Sequence, residues 1–213
     1  MTATRPGVAS GYTLVLPPGW CRIPLRGGTS AAIRKLLDER FRHLPRDTVA
    51  PFRIEIERRL NEQITQARRN GGVDFYFPVE IAESGPVPAS FVVSEVRLAL
   101  PDMAAGADPA SLVVAALAVD AGADGESAPR IVDIDGACGV RSADVVPGDP
   151  DAETAYAARR VRYMLPVPGT PGRWLVVVFA TPGAADPTGR YAGLLVELFD
   201  AIMGTFRWTE EER

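Results

Sequence analysis

Hydrophobic and polar positions recur along this chain with two different periods, and each change of period marks an element. The clearest unit is C-terminal. Residues 174–179 (Trp174, Leu175, Val176, Val177, Val178, Phe179) form a continuous apolar run rich in β-branched and aromatic side chains, which predicts a central strand. Thr181, Pro182 and Gly183 break it. Asp186 followed by Pro187 then has the form of an N-cap and a first helical residue. Tyr191, Leu194, Leu195, Leu198, Phe199, Ile202, Met203 and Phe206 recur at helical spacing, predicting a helix that starts at Asp186-Pro187 and reaches Met203. Leu195 and Phe199 are expected to be buried against a sheet containing residues 175–179.

Upstream, residues 1–11 read as a loose arm, 12–208 as a single domain and 209–213 as a tail. Residues 12–16 predict a strand, Pro17-Pro18-Gly19 a turn and residues 20–23 a second short strand. Thr29 or Ser30 can cap a helix whose face holds Ile33, Leu36, Leu37, Phe41 and Leu44, and Pro45 ends it. Asp47 or Thr48 can cap the next, with Pro51 in its first turn and Phe52, Ile56, Leu60, Ile64 and Ala67 on one stripe. Gly71-Gly72 terminates it, so residues 30–70 read as an antiparallel helical hairpin.

Strands are predicted at 73–77 and 90–100, the second with an imperfect alternation that a bulge near Ser94 would rephase. Residues 110–119 fit a helix, although Val113-Val114 also suits a strand, and 121–128 fit a loop. Residues 131–134 run into Asp135-Gly136, a hairpin dipeptide, and return through Cys138 to Val146. After a polar connector at 145–154, residues 157–167 alternate as a half-exposed strand that 168–172 turn back into the final one.

Composition adds limits more than direction. With 46% hydrophobic and 23% charged residues over 213 positions, the chain suits one soluble domain with a sizeable core. The formal net charge of −4 gives no general pull towards nucleic acid or an anionic membrane. Lys35 is the only lysine, and the arginine, glycine, proline and alanine content reads as the bias of a GC-rich bacterial genome. Cys21 and Cys138 are too few for a four-cysteine zinc site and are expected to be reduced and unlinked. The N-terminus lacks the apolar segment of a signal peptide, and no run reaches the ~20 apolar residues of a membrane span. The expected setting is cytoplasmic, with no membrane partner.

Candidate chemistry is sparse. His43 is the only histidine, which excludes a His-rich metal site. A Cys–His dyad would need His43 to meet Cys21 or Cys138 in space, yet both cysteines fall in predicted strands, where they serve as small apolar residues. The chain contains no G-x-S-x-G elbow, no G-x-x-x-x-G-K-[ST] and no G-x-G-x-x-G. Asp133, Asp135, Asp144, Asp149 and Asp151 lie close together without the order of a calcium loop and read as turn carboxylates. No catalytic, cofactor-binding or metal-ligating residue is assigned. Basic residues concentrate in the hairpin, where Arg58, Arg59, Arg68 and Arg69 are candidates for binding an acidic protein partner. The competing reading is a solvated face laced with salt bridges such as Glu55–Arg59 and Arg58–Glu62; nucleic acid is disfavoured because interleaved aromatics are missing.

Residues 14–20 (Leu14, Val15, Leu16, Pro17, Pro18, Gly19, Trp20) resemble the opening strand–Pro–x–Gly–Trp of the PsbP-like superfamily, which includes the PsbP protein of photosystem II and the related Ran-binding nuclear-import factors. Residues 132–136 look like that family's hairpin, and the strand 175–181 with the ending 198–208 is similar to its closing strand and last helix. The hairpin at 30–70 is longer than the family pattern. The resemblance implies an α/β (α+β) fold, an antiparallel twisted sheet of about six or seven strands packed between helical layers. It also implies a bacterial member that binds partners and rarely catalyses. The function expected is a non-catalytic binding or accessory module of a bacterial multiprotein system. The alternative is a small-ligand-binding protein or enzyme with a pocket between sheet and hairpin, which a deep, polar-lined cavity there would favour.

Overall fold

The computed structural model describes residues 8–82, 85–98, 111–114, 128–148, 156–182 and 186–210. In chain order these form β1 (Ala9–Thr13), β2 (Trp20–Pro24), α1 (Thr29–Phe41), α2 (Arg46–Arg69), β3 (Gly72–Pro78), β4 (Ile81–Ala82), β5 (Gly85–Pro86) and β6 (Ser90–Arg97). A helical turn at 111–114 (α3) precedes β7 (Arg130–Ile134), β8 (Ala137–Val146), β9 (Ala158–Pro166), β10 (Arg173–Pro182), α4 (Arg190–Gly204) and β11 (Arg207–Glu210). Seven strands pair antiparallel in the order β2-β3-β6-β10-β9-β8-β7, β4 pairs with β5, and β1 pairs with β11 in a separate two-stranded ribbon. The fold is α+β, with helices on both faces of the sheet.

Side-chain alternation along the strands divides the core in two. On one face Phe91, Val93, Val161, Tyr163, Leu165, Leu175, Val177 and Phe179 meet Leu195, Val196, Phe199, Ile202 and Met203 of α4. Phe199 is the centre of this cluster, stacked on Phe179 at 4.6 Å and within 5.5 Å and 5.7 Å of the Phe91 and Tyr163 rings. On the other face Ile23 and Leu25 of the β2 end meet Ile33, Leu37 and Ile64 of the hairpin. A third cluster joins Trp174 and Val140 to Val113 of α3.

Leu195 and Phe199 are buried as the periodicity predicts, but the helix does not begin at Asp186-Pro187. The Asp186 carboxylate accepts hydrogen bonds from the Thr188 N–H and hydroxyl at 2.8 and 2.7 Å, closing a separate turn, and Gly189 is the N-cap. Tyr191, Leu194 and Leu198 stay exposed, so only part of the broad apolar face meets the sheet. The ending is divided as well: the helix stops at Gly204, and Trp208 lies in β11 opposite Tyr12. That pairing draws Ala9–Gly11 out of the expected arm and Thr209–Glu210 out of the expected tail.

α2 shows why a stripe read at i, i+4 steps can mislead. Each such step drifts about 40° round the helix, so Phe52 and Ile64 point about 120° apart. Ile64 is buried, Leu60 and Ala67 pack beside it, and Phe52 is 65% exposed. Both helices of the hairpin start earlier than their side-chain capping signals. Gly28 (φ 71°) precedes α1 and Pro45 precedes α2, while the Thr29 hydroxyl donates to the Pro24 carbonyl instead. α2 ends at Asn70, and Gly71 (φ +78°) turns the chain into β3, where a Cβ would lie 2.5 Å from the Glu95 carbonyl oxygen.

The bulge expected near Ser94 lies opposite it, on β3 between Gly72 and Asp74, and β6 runs in regular register with β10. The alternation of β6 looks irregular because its two ends serve different clusters: Phe91 and Val93 face α4, whereas Val96 packs with Trp174. Asp135 and Gly136 take positive φ (51° and 75°) and close the predicted β7–β8 hairpin. The loop at 121–127, residues 115–119 of the helix expected at 110–119, and Asp149 and Asp151 lie outside the described residues. Among the described residues, no helix is long and apolar enough to cross a membrane.

Candidate functional site, a cleft between the hairpin and the sheet

The two central strands are covered unequally. Phe91 and Val93 of β6 and Val177 and Phe179 of β10 are at most 1% exposed, whereas Val92, Ser94, Val178 and Ala180, pointing the other way, are only part-buried. The cause lies in how the hairpin is held. Its apolar anchors Ile33, Leu37 and Ile64 sit over β2 and β3 at one edge, so the last turns of α2 overhang the middle of the sheet. Beneath the overhang the strands carry small residues, Ser90, Ser94, Ala158 and Ala180, which do not fill the gap.

The result is a cavity of about 580 Å³. Gln63, Gln66 and Asn70 form its polar wall on α2; Phe75, Val92, Val178 and Ala180 form an apolar floor; Tyr156 and Arg160 close the far side. Arg160 faces Asp144 in a paired guanidinium–carboxylate contact, with Nε 3.0 Å from Oδ1, and the Arg162 guanidinium approaches the same carboxylate at 3.7 Å. The hydrogen bonds it donates to Asp144 hold Arg160 above the usual arginine pKa, so this end of the cleft carries a charged pair with a second guanidinium, Arg162, beside it. The cleft can therefore desolvate an apolar body and satisfy hydrogen-bonding groups along one edge. Its lining contains neither histidine nor cysteine among the described residues.

The four arginines selected from sequence do not share one surface. Arg58 donates to Glu55 and Glu62, and Arg59 donates to Glu55 at 2.6 Å. Hydrogen bonds from Arg58 and Arg59 hold the exposed Glu55 carboxyl at about 2. Arg68 turns towards the protein, donating from Nε to the Leu25 carbonyl and from the guanidinium to the Thr29 hydroxyl, each at 2.6 Å. It fastens the end of α2 to the β2–α1 connection. Arg68 and Arg69 are both exposed, and of the two it is Arg68 that is fastened to the protein. The inward course of Arg68 was legible in principle, because it lies about 40° from Ile64 on the helix.

His43 is exposed just beyond α1, next to Arg42. Cys21 on β2 lies under the hairpin, and burial raises its thiol pKa. Cys138 is on β8, five strand positions away in the sheet order, or about 24 Å at normal strand spacing. The two thiols are too far apart to be linked to each other. Asp133, Asp135 and Asp144 each serve a local contact, with the Gly136 N–H, the Trp208 N–H and Arg160 respectively. Among the described residues, no group of three His, Cys, Asp or Glu side chains is placed to hold a metal ion.

Two polar networks were missed at the sequence level. Asp74, 1% exposed, accepts from the Tyr12 hydroxyl and, at 2.7 and 3.1 Å, from Arg22, while the Tyr12 and Tyr76 hydroxyls lie 3.1 Å apart. Burial raises both tyrosines, Tyr76 to about 12 and Tyr12 further. On the α4 side Asp200 receives two hydrogen bonds from Arg141 and one from Tyr163. Strand parity offered a signal for the first: Asp74 and Tyr76 fall between Val73, Phe75 and Phe77 and so share the opposite face. No protein-family model matches this chain, and no curated protein matches it either.

Proposed function

We propose that the protein is a binding module without a catalytic role of its own, working in the bacterial cytoplasm, and that the cleft under α2 is its ligand site. One observation carries this reading: apolar side chains on the two central strands, Val92 and Val178, are left part-buried beneath an overhanging helix. The cleft volume of about 580 Å³ falls in the range of roughly 300–1,000 Å³ usual for small-molecule sites. An apolar floor against a wall of carboxamides suits an uncharged amphipathic molecule, flat or chain-like, with hydrogen-bonding groups along one edge. Of the two functions expected from sequence, the place and volume of the cleft support the ligand-binding alternative, although its floor is apolar where a polar lining was expected.

The test uses Nile red, an uncharged apolar dye. Wild-type protein should enhance its fluorescence, and Val178→Trp, which fills the cleft from a part-buried position, should reduce the enhancement about tenfold with the thermal midpoint little changed. Equal enhancement by both proteins would remove the cleft from the account.

A protein partner has a separate surface in its favour. Phe52 and Ile54 on the outer half of α2, with Leu44 before it, are 65%, 69% and 52% exposed. We read this end of the hairpin, with Arg58 and Arg59 one to two turns further along α2, as the contact to an acidic partner within a multiprotein system; Arg69, at the far end of the helix, lies outside it. The double change Phe52→Ser and Ile54→Ser should abolish partner capture from native-cell extract without altering stability; retained capture would leave the hairpin a scaffold element. A place in the PsbP-like superfamily belongs with these proposals, supported by the residue pattern at 14–20 and by an antiparallel sheet between helical layers, although residues 14–16 lie outside any strand because β1 ends at Thr13.

A further inference from the structure

On the opposite face of the sheet, between α4 and the β7–β8–β9 edge, lies a second cavity of about 620 Å³. Arginines from four elements reach it: Arg130 of β7, Arg141 of β8, Arg159 of β9 and Arg190 of α4. Arg130 and Arg141 are direct cross-strand partners, an arrangement that repels unless an anion intervenes. Asp200 neutralises Arg141 through two hydrogen bonds. Neither Arg130 nor Arg190 has an ion-pair partner among the described residues, and both are exposed.

Two features of α4 favour an anion at the same place. Its first turn contains no acidic residue and its N-cap, Gly189, offers no side chain, so the positive end of the helix opens on the cavity at Gly189 and Arg190. The nearest carboxylate, Asp186, accepts through Oδ1 from the Thr188 N–H and hydroxyl and lies against Gly189, whose N–H is taken up in this turn, so the backbone N–H groups left for an anion begin at Arg190. Gly193 also lines the cavity, and a Cβ there would meet nothing within 4 Å. Glycine inside a helix costs about 1 kcal/mol relative to alanine, so its presence keeps space open where packing does not ask for it. One turn further on, Glu197 is the acceptor that lines the cavity beyond the arginines.

We infer that this cavity binds a small phosphate monoester with hydroxyl groups on its body. The phosphate sits between Arg130 and Arg190 at the start of α4, and a hydroxyl donates to Glu197. A tetrahedral phosphate has enough acceptor oxygens for two separate guanidinium groups and backbone N–H groups, whereas one carboxylate is satisfied by a single paired guanidinium. Both substitutable arginines are exposed and do not hold the fold, so the site can be removed without unfolding the protein.

Calorimetric titration with glucose 6-phosphate tests this, with inorganic phosphate and glucose as the two halves of the probe. Glucose 6-phosphate should bind more tightly than inorganic phosphate, and glucose should not bind. Arg130→Gln and Arg190→Gln should each weaken binding about tenfold, Arg190→Lys less, and Gly193→Glu should abolish it, all with unchanged thermal midpoints. Absence of binding at millimolar concentration, equal binding of citrate, equal binding of inorganic phosphate, or indifference to the arginine changes would overturn the assignment. The sheet separates this cavity from the hairpin cleft, so Val178→Trp should leave the titration unaltered, and either site can fail without the other.

Discussion

Phe199→Ala should destabilise the fold by about 3–5 kcal/mol, the cost of removing a large aromatic side chain from a closed core. Phe199 has no exposed surface and touches rings from three strands: Phe91 on β6, Phe179 on β10 and Tyr163 on β9. Its loss leaves a void that those rings cannot fill without leaving their strand rotamers, because Val93, Val177 and Leu165 already occupy the space around them. Urea unfolding measures the change directly. A loss below about 1 kcal/mol would mean that α4 is not seated on the sheet as described. Leu198→Ala, on the exposed side of the same helix, is the control and should change little.

Asp74→Ala should cost about 2–4 kcal/mol, through a different mechanism. The carboxylate is almost fully buried and holds Tyr12 and Arg22 together, which ties the β1–β11 ribbon to the sheet. Arg22 is half-exposed and can return to water, so the cost falls mainly on the Tyr12 hydroxyl, left beside Tyr76 without its acceptor. Hydrogen exchange should quicken in β1 and β11 before it does in β10; uniform exchange would place the ribbon's attachment elsewhere. The same network sets an alkaline limit. Burial raises both tyrosines, so the folded chain keeps protons that the unfolded chain releases near pH 10. This contribution is complete below that pH and is lost as pH rises through the folded value of Tyr76, about 12.

Elements whose burial follows from their own pattern were legible in the sequence. Residues 174–179, the Asp135-Gly136 hairpin and the helix holding Leu195 and Phe199 needed no knowledge of their neighbours. What was not legible depends on contacts far along the chain. Asp186 looked like a cap, but the local turn with Thr188 takes its Oδ1 and the helix begins only after Gly189. The first strand was expected at 12–16 but forms at Ala9–Thr13, where Arg207–Glu210 lies beside it, and residues 14–16 lie outside any strand. Arg68 looked like solvent-facing charge until the Leu25 carbonyl came within 2.6 Å. The cleft was anticipated in location, between sheet and hairpin, but not in character. Its floor is apolar because Val92 of β6 and Val178 and Ala180 of β10 face the hairpin side, which the hairpin covers at only one edge.

The most direct measurement follows from that alternation. Val92 and Val93 are neighbours on β6, and Val177 and Val178 are neighbours on β10, yet each pair divides between the open cleft and the closed core. Methyl-labelled spectra titrated with Nile red should show the Val92 and Val178 signals moving together while those of Val93 and Val177 stay still. Shifts on the Val93 and Val177 side, or shifts confined to residues away from both strands, would contradict a ligand site beneath α2.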